Sequence, residues 1–375
     1  MYGLSIFLTV IDIFGIAAGP LFIYFGSYFF DLTTTDKAIA IGISVFCVIM
    51  YPFLNKFRQK ARTASKYDKY GRLKQFGNYE KMSVQEQKEF DKQRMKDMER
   101  LLPTTMVREM TKRGSANPEQ DLQDLTGLQS VKQKVEEMEA RMEMERRDKK
   151  KNKQTEMSRH MVFFGPPGTG KTTVAAIMTA YLKKYGYIQD NRFMIANGSF
   201  FSGAESSKKV DAVVQRAFGG VLFIDEAYAM MQGMNGDEAV SALLSQMEDN
   251  RDKFVLIMAG YEDEMKDLLK SNPGFLSRIA EFLYFENYSI GELLSIFKGM
   301  AKKEGYTVSE DGEDEFRIVV SQAMKERSFG NARTCRSILD KSISRHCLNI
   351  KKAGKKDDYV LTEDDIFFES NPLAN

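Results

Sequence analysis

The stretch Gly165-Pro166-Pro167-Gly168-Thr169-Gly170-Lys171-Thr172 constrains this chain more than any other. It fits G-x-x-x-x-G-K-[ST], a loop whose glycines let successive backbone N–H groups wrap a polyphosphate. Its flanks have the form the loop requires. Met161-Val162-Phe163-Phe164 is a short apolar, β-prone run, predicted as a buried strand. Thr172 to Leu182, with apolar Val174, Ala175, Ile177, Met178 and Tyr181, is predicted as a helix whose positive dipole end faces the same anion. Lys171 is then expected on the β- and γ-phosphates of ATP, the Thr172 hydroxyl on Mg²⁺, and Thr173 beside them. Taken alone, the stretch is also compatible with a glycine-rich turn that happens to carry a lysine.

A second element weighs against that plainer account. Val221-Leu222-Phe223-Ile224-Asp225-Glu226 reads as an apolar strand ending in two carboxylates. Asp225 is expected to hold Mg²⁺ through its water shell, and Glu226 to orient and activate the attacking water. Both motifs occur in order, with one further predicted strand, Arg192 to Ala196, between them. ATP binding is the firmest expectation, and hydrolysis follows it.

The chain begins with two charge-free runs, Ile13 to Phe30 and Ala38 to Leu54. As helices they would be about 27 and about 25 Å long, near the thickness of a bilayer's apolar core. They are expected as two membrane spans within residues 1–54, rather than as a buried hairpin or a cleaved leader. The basic stretch after them, Lys56 to Lys74, orients that flank to the cytoplasm and onto lipid headgroups. The expected location is a multi-pass membrane protein with a cytoplasmic ATPase domain. The formal net charge of +2 gives no global pull toward nucleic acid, and none is expected as a partner. Cys47, Cys335 and Cys347 show no metal spacing.

Residues 55–119 are expected as a basic helical linker. They carry a helix from Ser83 to Leu102, a break at Pro103, and a continuation from Met106 to Thr111. Val131, Val135, Met138 and Met142 then recur at helical spacing, on a helix expected beside the nucleotide base. Beyond the loop, apolar strands alternate with helices, among them Phe254 to Gly260. The expected fold is α/β, with a parallel sheet covered by helices on both faces. The core is expected over 120–285 and a small helical lid over 286–375.

Three longer stretches carry a family resemblance: Gly219 to Tyr228, Ala259 to Met265, and Ser271 to Ile279. Together with the phosphate loop, they resemble AAA+ ATPases of the CbbX and stage V sporulation protein K type, over about residues 121 to 368. The resemblance implies that Arg278 is an arginine finger acting on a neighbouring subunit, and that the active unit is a ring, a hexamer. It also implies that Arg333, in Phe329-Gly330-Asn331-Ala332-Arg333, reports on the phosphates, with Arg336 as the alternative. Ala259 to Glu262 would be the sensor region at the end of a strand. One segment departs from the family pattern. Gly198 to Lys209 lacks the aromatic-aliphatic-glycine pore triplet, leaving Phe200 and Phe201 either as grips or as core residues. The expected function is a membrane-anchored ATPase that remodels an unidentified protein client. Two alternatives are a non-threading, nucleotide-dependent switch and a membrane-recruited DNA-handling ATPase.

Overall fold

The computed structural model describes residues 84–149, 159–354, 356 and 358–369. Helices α1 (Val84–Leu101) and α2 (Thr104–Met110) lead into a short strand, β1 (Thr111–Arg113). Helices α3 (Pro118–Gln123) and α4 (Gln129–Lys149) follow, then β2 (His160–Phe164), α5 (Lys171–Lys184) and β3 (Arg192–Asn197). Next come α6 (Ser206–Ala217), β4 (Val221–Asp225), α7 (Gly236–Asp249), β5 (Val255–Gly260), α8 (Glu262–Ser271) and β6 (Ile279–Tyr284). The remaining elements are α9 (Ile290–Lys303), β7 (Thr307–Val308), α10 (Glu310–Ala323), α11 (Ala332–Ala353) and β8 (Val360–Leu361).

Six strands form one sheet in the order β1-β3-β4-β5-β2-β6. β2 and β5 are buried at every residue, and β4 at all but its last, which is why they read as unbroken apolar runs. One apolar cluster lies on the face under α4, α5 and the lid. The other lies under α1, α6, α7 and α8. The sheet is mixed rather than wholly parallel, because β1 pairs antiparallel with β3. The three-residue β1, following α2, adds to the outer edge of β3 through Thr111, Lys112 and Arg113. The boundary expected at 119/120 therefore does not separate two packing units. Residues 84–113 supply a sheet edge and, through fully buried Leu102, part of the core.

Helices α9, α10 and α11 form a lid closed by stacked, fully buried Phe297 and Phe316, with ring centroids 4.2 Å apart. Ser289 and Glu292 cap α9 reciprocally.

The expected multi-pass membrane location is corrected here. Among the described residues, no helix is long and apolar enough to cross a membrane. The longest, α1, α4 and α11, carry charged side chains throughout, so none offers the apolar run of about 20 residues that a span needs. The expected spans over 1–54 lie outside the described residues, as does the basic stretch 56–74 on which lipid contact was based.

Candidate active site

β2 ends at Phe164, and the chain turns through Gly165 to Gly170 into α5, whose first residue is Lys171. Gly168 and Gly170 have φ of 70° and 93°, in the left-handed region that glycine enters without strain. Gly168 is also needed for space. A Cβ there would lie 2.0 Å from the Gly330 carbonyl oxygen of the lid. The loop braces itself from within. The Thr169 hydroxyl donates to the Pro166 carbonyl at 2.8 Å. Lys171 Nζ donates to the carbonyls of Gly165 and Pro166 at 2.7 and 2.6 Å. Burial lowers the Lys171 ammonium to about 8, with Arg333 adding to the effect while Asp225 and Glu226 oppose it.

The strand order β4-β5-β2 sets the ends of β4 and β5 beside this loop. Asp225 closes β4. Glu226 follows with φ of 49°, its N–H donating to Asp225 Oδ1 at 3.1 Å. Asn197, the register partner of Asp225 on β3, donates from Nδ2 to Glu226 Oε2 at 3.1 Å. A cleft of about 240 Å³ is lined by Lys171, Thr172, Thr173, Asp225, Glu226 and Arg333, together with Gly165, Pro167, Gly168, Gly170, Gly260, Tyr261 and Ala332. Pro166 and Thr169 shape the loop and do not line this cleft.

The lid is bonded directly to the loop. The Ala332 N–H donates to the Gly168 carbonyl at 3.2 Å, and the Tyr288 hydroxyl to the Thr169 carbonyl at 3.0 Å. Asn331, fully buried, accepts from the Tyr288 N–H at 3.0 Å and donates to the Pro167 carbonyl at 3.2 Å. Leu128, just before α4, lies near Gly170. A Cβ on Gly170 would be 3.6 Å from its side chain and 3.5 Å from the Tyr288 hydroxyl. The start of α4 thus stands beside the phosphate loop.

Arg278 is not part of this cleft. It precedes β6, whereas the cleft sits at the C-terminal ends of the strands, about 20 Å away along the six residues of β6. It pairs with Glu248 at 3.0 Å and donates to the Gly274 carbonyl at 2.8 Å. Arg336 pairs with Glu304 at 2.8 Å and is absent from the lining, which leaves Arg333 as the lid arginine at the cleft. Phe201 is 1% exposed and Phe200 is half-buried against the same cluster, so Phe201 is a core residue.

Sequence reasoning missed Asn197, Tyr288 and Asn331. Their only signals are an amide just past an apolar run and an Asn after a glycine in the lid turn. The donor set suits a magnesium nucleotide: an ammonium, a guanidinium and helix N–H groups for phosphate, with a hydroxyl and a carboxylate for a hard cation. Among the described residues no group of three or more His, Cys, Asp or Glu is arranged to hold a metal ion by protein ligands alone. Mg²⁺ does not require one, since it keeps most of its waters beside nucleotide phosphates.

Residues 161–287 match the family described as ATPase family associated with various cellular activities, and 289–374 match an AAA lid domain. The chain is 37% identical over 235 residues to a chloroplastic ribulose bisphosphate carboxylase/oxygenase activase of Cyanidioschyzon merolae, covering 60% of this chain and 76% of that protein. It is 37% identical over 238 residues to Protein CfxQ of Xanthobacter flavus, covering 61% and 75%. It is 38% identical over 227 residues to Protein CbbX of Cereibacter sphaeroides, covering 58% and 74%.

Proposed function

The chain belongs to the AAA ATPase family, of the CbbX and CfxQ type, and on that premise we propose that it couples ATP hydrolysis in a ring of identical subunits to the remodelling of a protein client. ATP hydrolysis itself comes with the family. The roles of the residues and the client are our reading.

The loop N–H groups and Lys171 bind the phosphates, and Arg333 contacts them from the lid. Glu226 takes a proton from the attacking water, oriented by the Asn197 amide on its other oxygen. Mg²⁺, when bound, neutralises phosphate charge, and Thr172 and Asp225 are the residues that would hold it.

One observation carries the ring. The cleft collects every expected catalytic group except Arg278, which stands at the far end of β6. In its own subunit that arginine is out of reach. On the flank of a neighbour it supplies the positive charge that a transferring phosphoryl group requires. Remodelling is supported by the similarity to relatives that are named as activases of another protein, ribulose bisphosphate carboxylase/oxygenase. A second reading, a non-threading switch, draws on buried Phe201, since that side chain is not available to grip a client.

ATPase activity per subunit, measured against protein concentration, tests the ring. It should rise with concentration and be lost in both Glu226→Gln and Arg278→Ala. Flat turnover indifferent to Arg278 would mean that each site works alone.

A further inference from the structure

The loop of residues 198–205 joins Asn197 to α6. At its start, Gly198 packs against the backbone of Glu226, and a Cβ there would lie 2.2 Å from the Glu226 carbonyl oxygen. At its end stands Glu205, a non-glycine residue with φ of 58°. Arg100 takes both Glu205 carboxylate oxygens, Nη2 to Oε1 and Nη1 to Oε2, each at 2.8 Å. This is a fork-to-fork pair between residues 105 apart in sequence. Lys208 adds a third contact at 2.9 Å. Hydrogen bonds from Arg100 and then Lys208 hold the Glu205 carboxyl down to about 2. Next to Arg100, Glu99 accepts from Arg216 of α6 at 3.3 Å. Leu102, just past α1, is fully buried in the same apolar cluster as Phe201 of the loop and Val210 of α6. The end of α1 therefore grips the loop with an apolar plug and a bidentate ion pair.

We propose that Arg100 and Glu205 are positioning residues for ATP hydrolysis: their clamp fixes the 198–205 loop, and through Gly198 and Asn197 the loop fixes the Glu226 carboxylate. The proposal rests on the reading of Glu226 as the base. Glu226 has a left-handed backbone, a conformation that persists only where its surroundings hold it. The loop is part of those surroundings. A base displaced by a fraction of an ångström loses much of its rate advantage. α1 precedes the family-matched residues 161–287 and 289–374, so a displacement of this arm would reach the catalytic carboxylate through the clamp and the loop it holds.

The test is a double-mutant cycle in the 375-residue chain, with Arg100→Ala, Glu205→Ala and both together. Turnover is normalised to bound fluorescent ATP analogue, so that unfolded protein is not counted. Each single substitution should lower kcat about threefold to tenfold with KM for ATP within about twofold, the expectation for a misplaced base rather than lost binding. The double variant should match the singles, and Arg100→Lys should recover part of the loss. Arg147→Ala, which breaks an exposed α4 ion pair with Glu143, serves as control and should change nothing. An unchanged or raised kcat in Arg100→Ala, losses that multiply in the double variant, or a change confined to KM would overturn the clamp. Glu226→Gln is run alongside. If it still hydrolyses ATP at the parent rate, the reading of the base fails, whatever Arg100 does.

Discussion

Lys171 sits in a position that costs its charge something: burial brings it from the ordinary 10.5 to about 8. Below pH 8 both folded and unfolded chains carry the proton, and the full penalty on folding stands. Between about 8 and 10.5 the folded state releases its proton first. Stability of the nucleotide-free chain should therefore rise across that window, and the rise should vanish in Lys171→Met, as followed by chemical denaturation. ATP affinity should run the other way, falling above pH 8 as the ammonium is lost, which calorimetric titration would register. Asn197→Ala should leave ATP affinity near the parent value and lower kcat about tenfold, since it frees one oxygen of the base. A kcat equal to the parent's would remove the amide from the account. Lys171, Thr172, Asp225 and Glu226 were legible because each lies within a contiguous motif. Asn197 was not. It meets Glu226, 29 residues on, only because β3 and β4 pair in register.

Among the elements, β2, β4 and β5 were readable as strands because burial on both faces demands apolar residues at every position. β1 was not, since Thr111-Lys112-Arg113 is polar and only half-buried at best. It is a strand because β3 offers an unpaired edge beside the end of α2. The seam between lid and phosphate loop was equally hidden. Asn331 belongs to no apolar pattern, yet it bridges Tyr288, Asn287 and Pro167. Asn331→Ala would leave the buried Tyr288 N–H unpaired and should destabilise the chain by about 1–3 kcal/mol. Because the same bonds seat the loop, ATP should bind more weakly as well. Urea unfolding and nucleotide titration on one preparation would show whether both losses occur together.

At the scale of the whole molecule, the separation of Arg278 from the cleft predicts complementation. Mixing Glu226→Gln with Arg278→Ala, each inactive alone, should restore activity at sites that pair an intact base with an intact neighbour, about a quarter of the total in a random ring. No recovery after subunit exchange would argue against an arginine acting between copies. The membrane location read from the chain's start does not extend to the described structure, whose long helices are charged throughout. By itself the sequence determined the phosphate loop, the carboxylate pair and the parallel core. Those depend on local spacing and on the apolar demand of two-sided burial, both of which are written along the chain. Tertiary structure alone decided the antiparallel edge, the Asn197 and Asn331 contacts, the burial of Phe201, and the distance that takes Arg278 out of its own cleft. Each of these depends on which distant segments pack together, and packing partners are set by the sheet order rather than by any residue's neighbours in sequence.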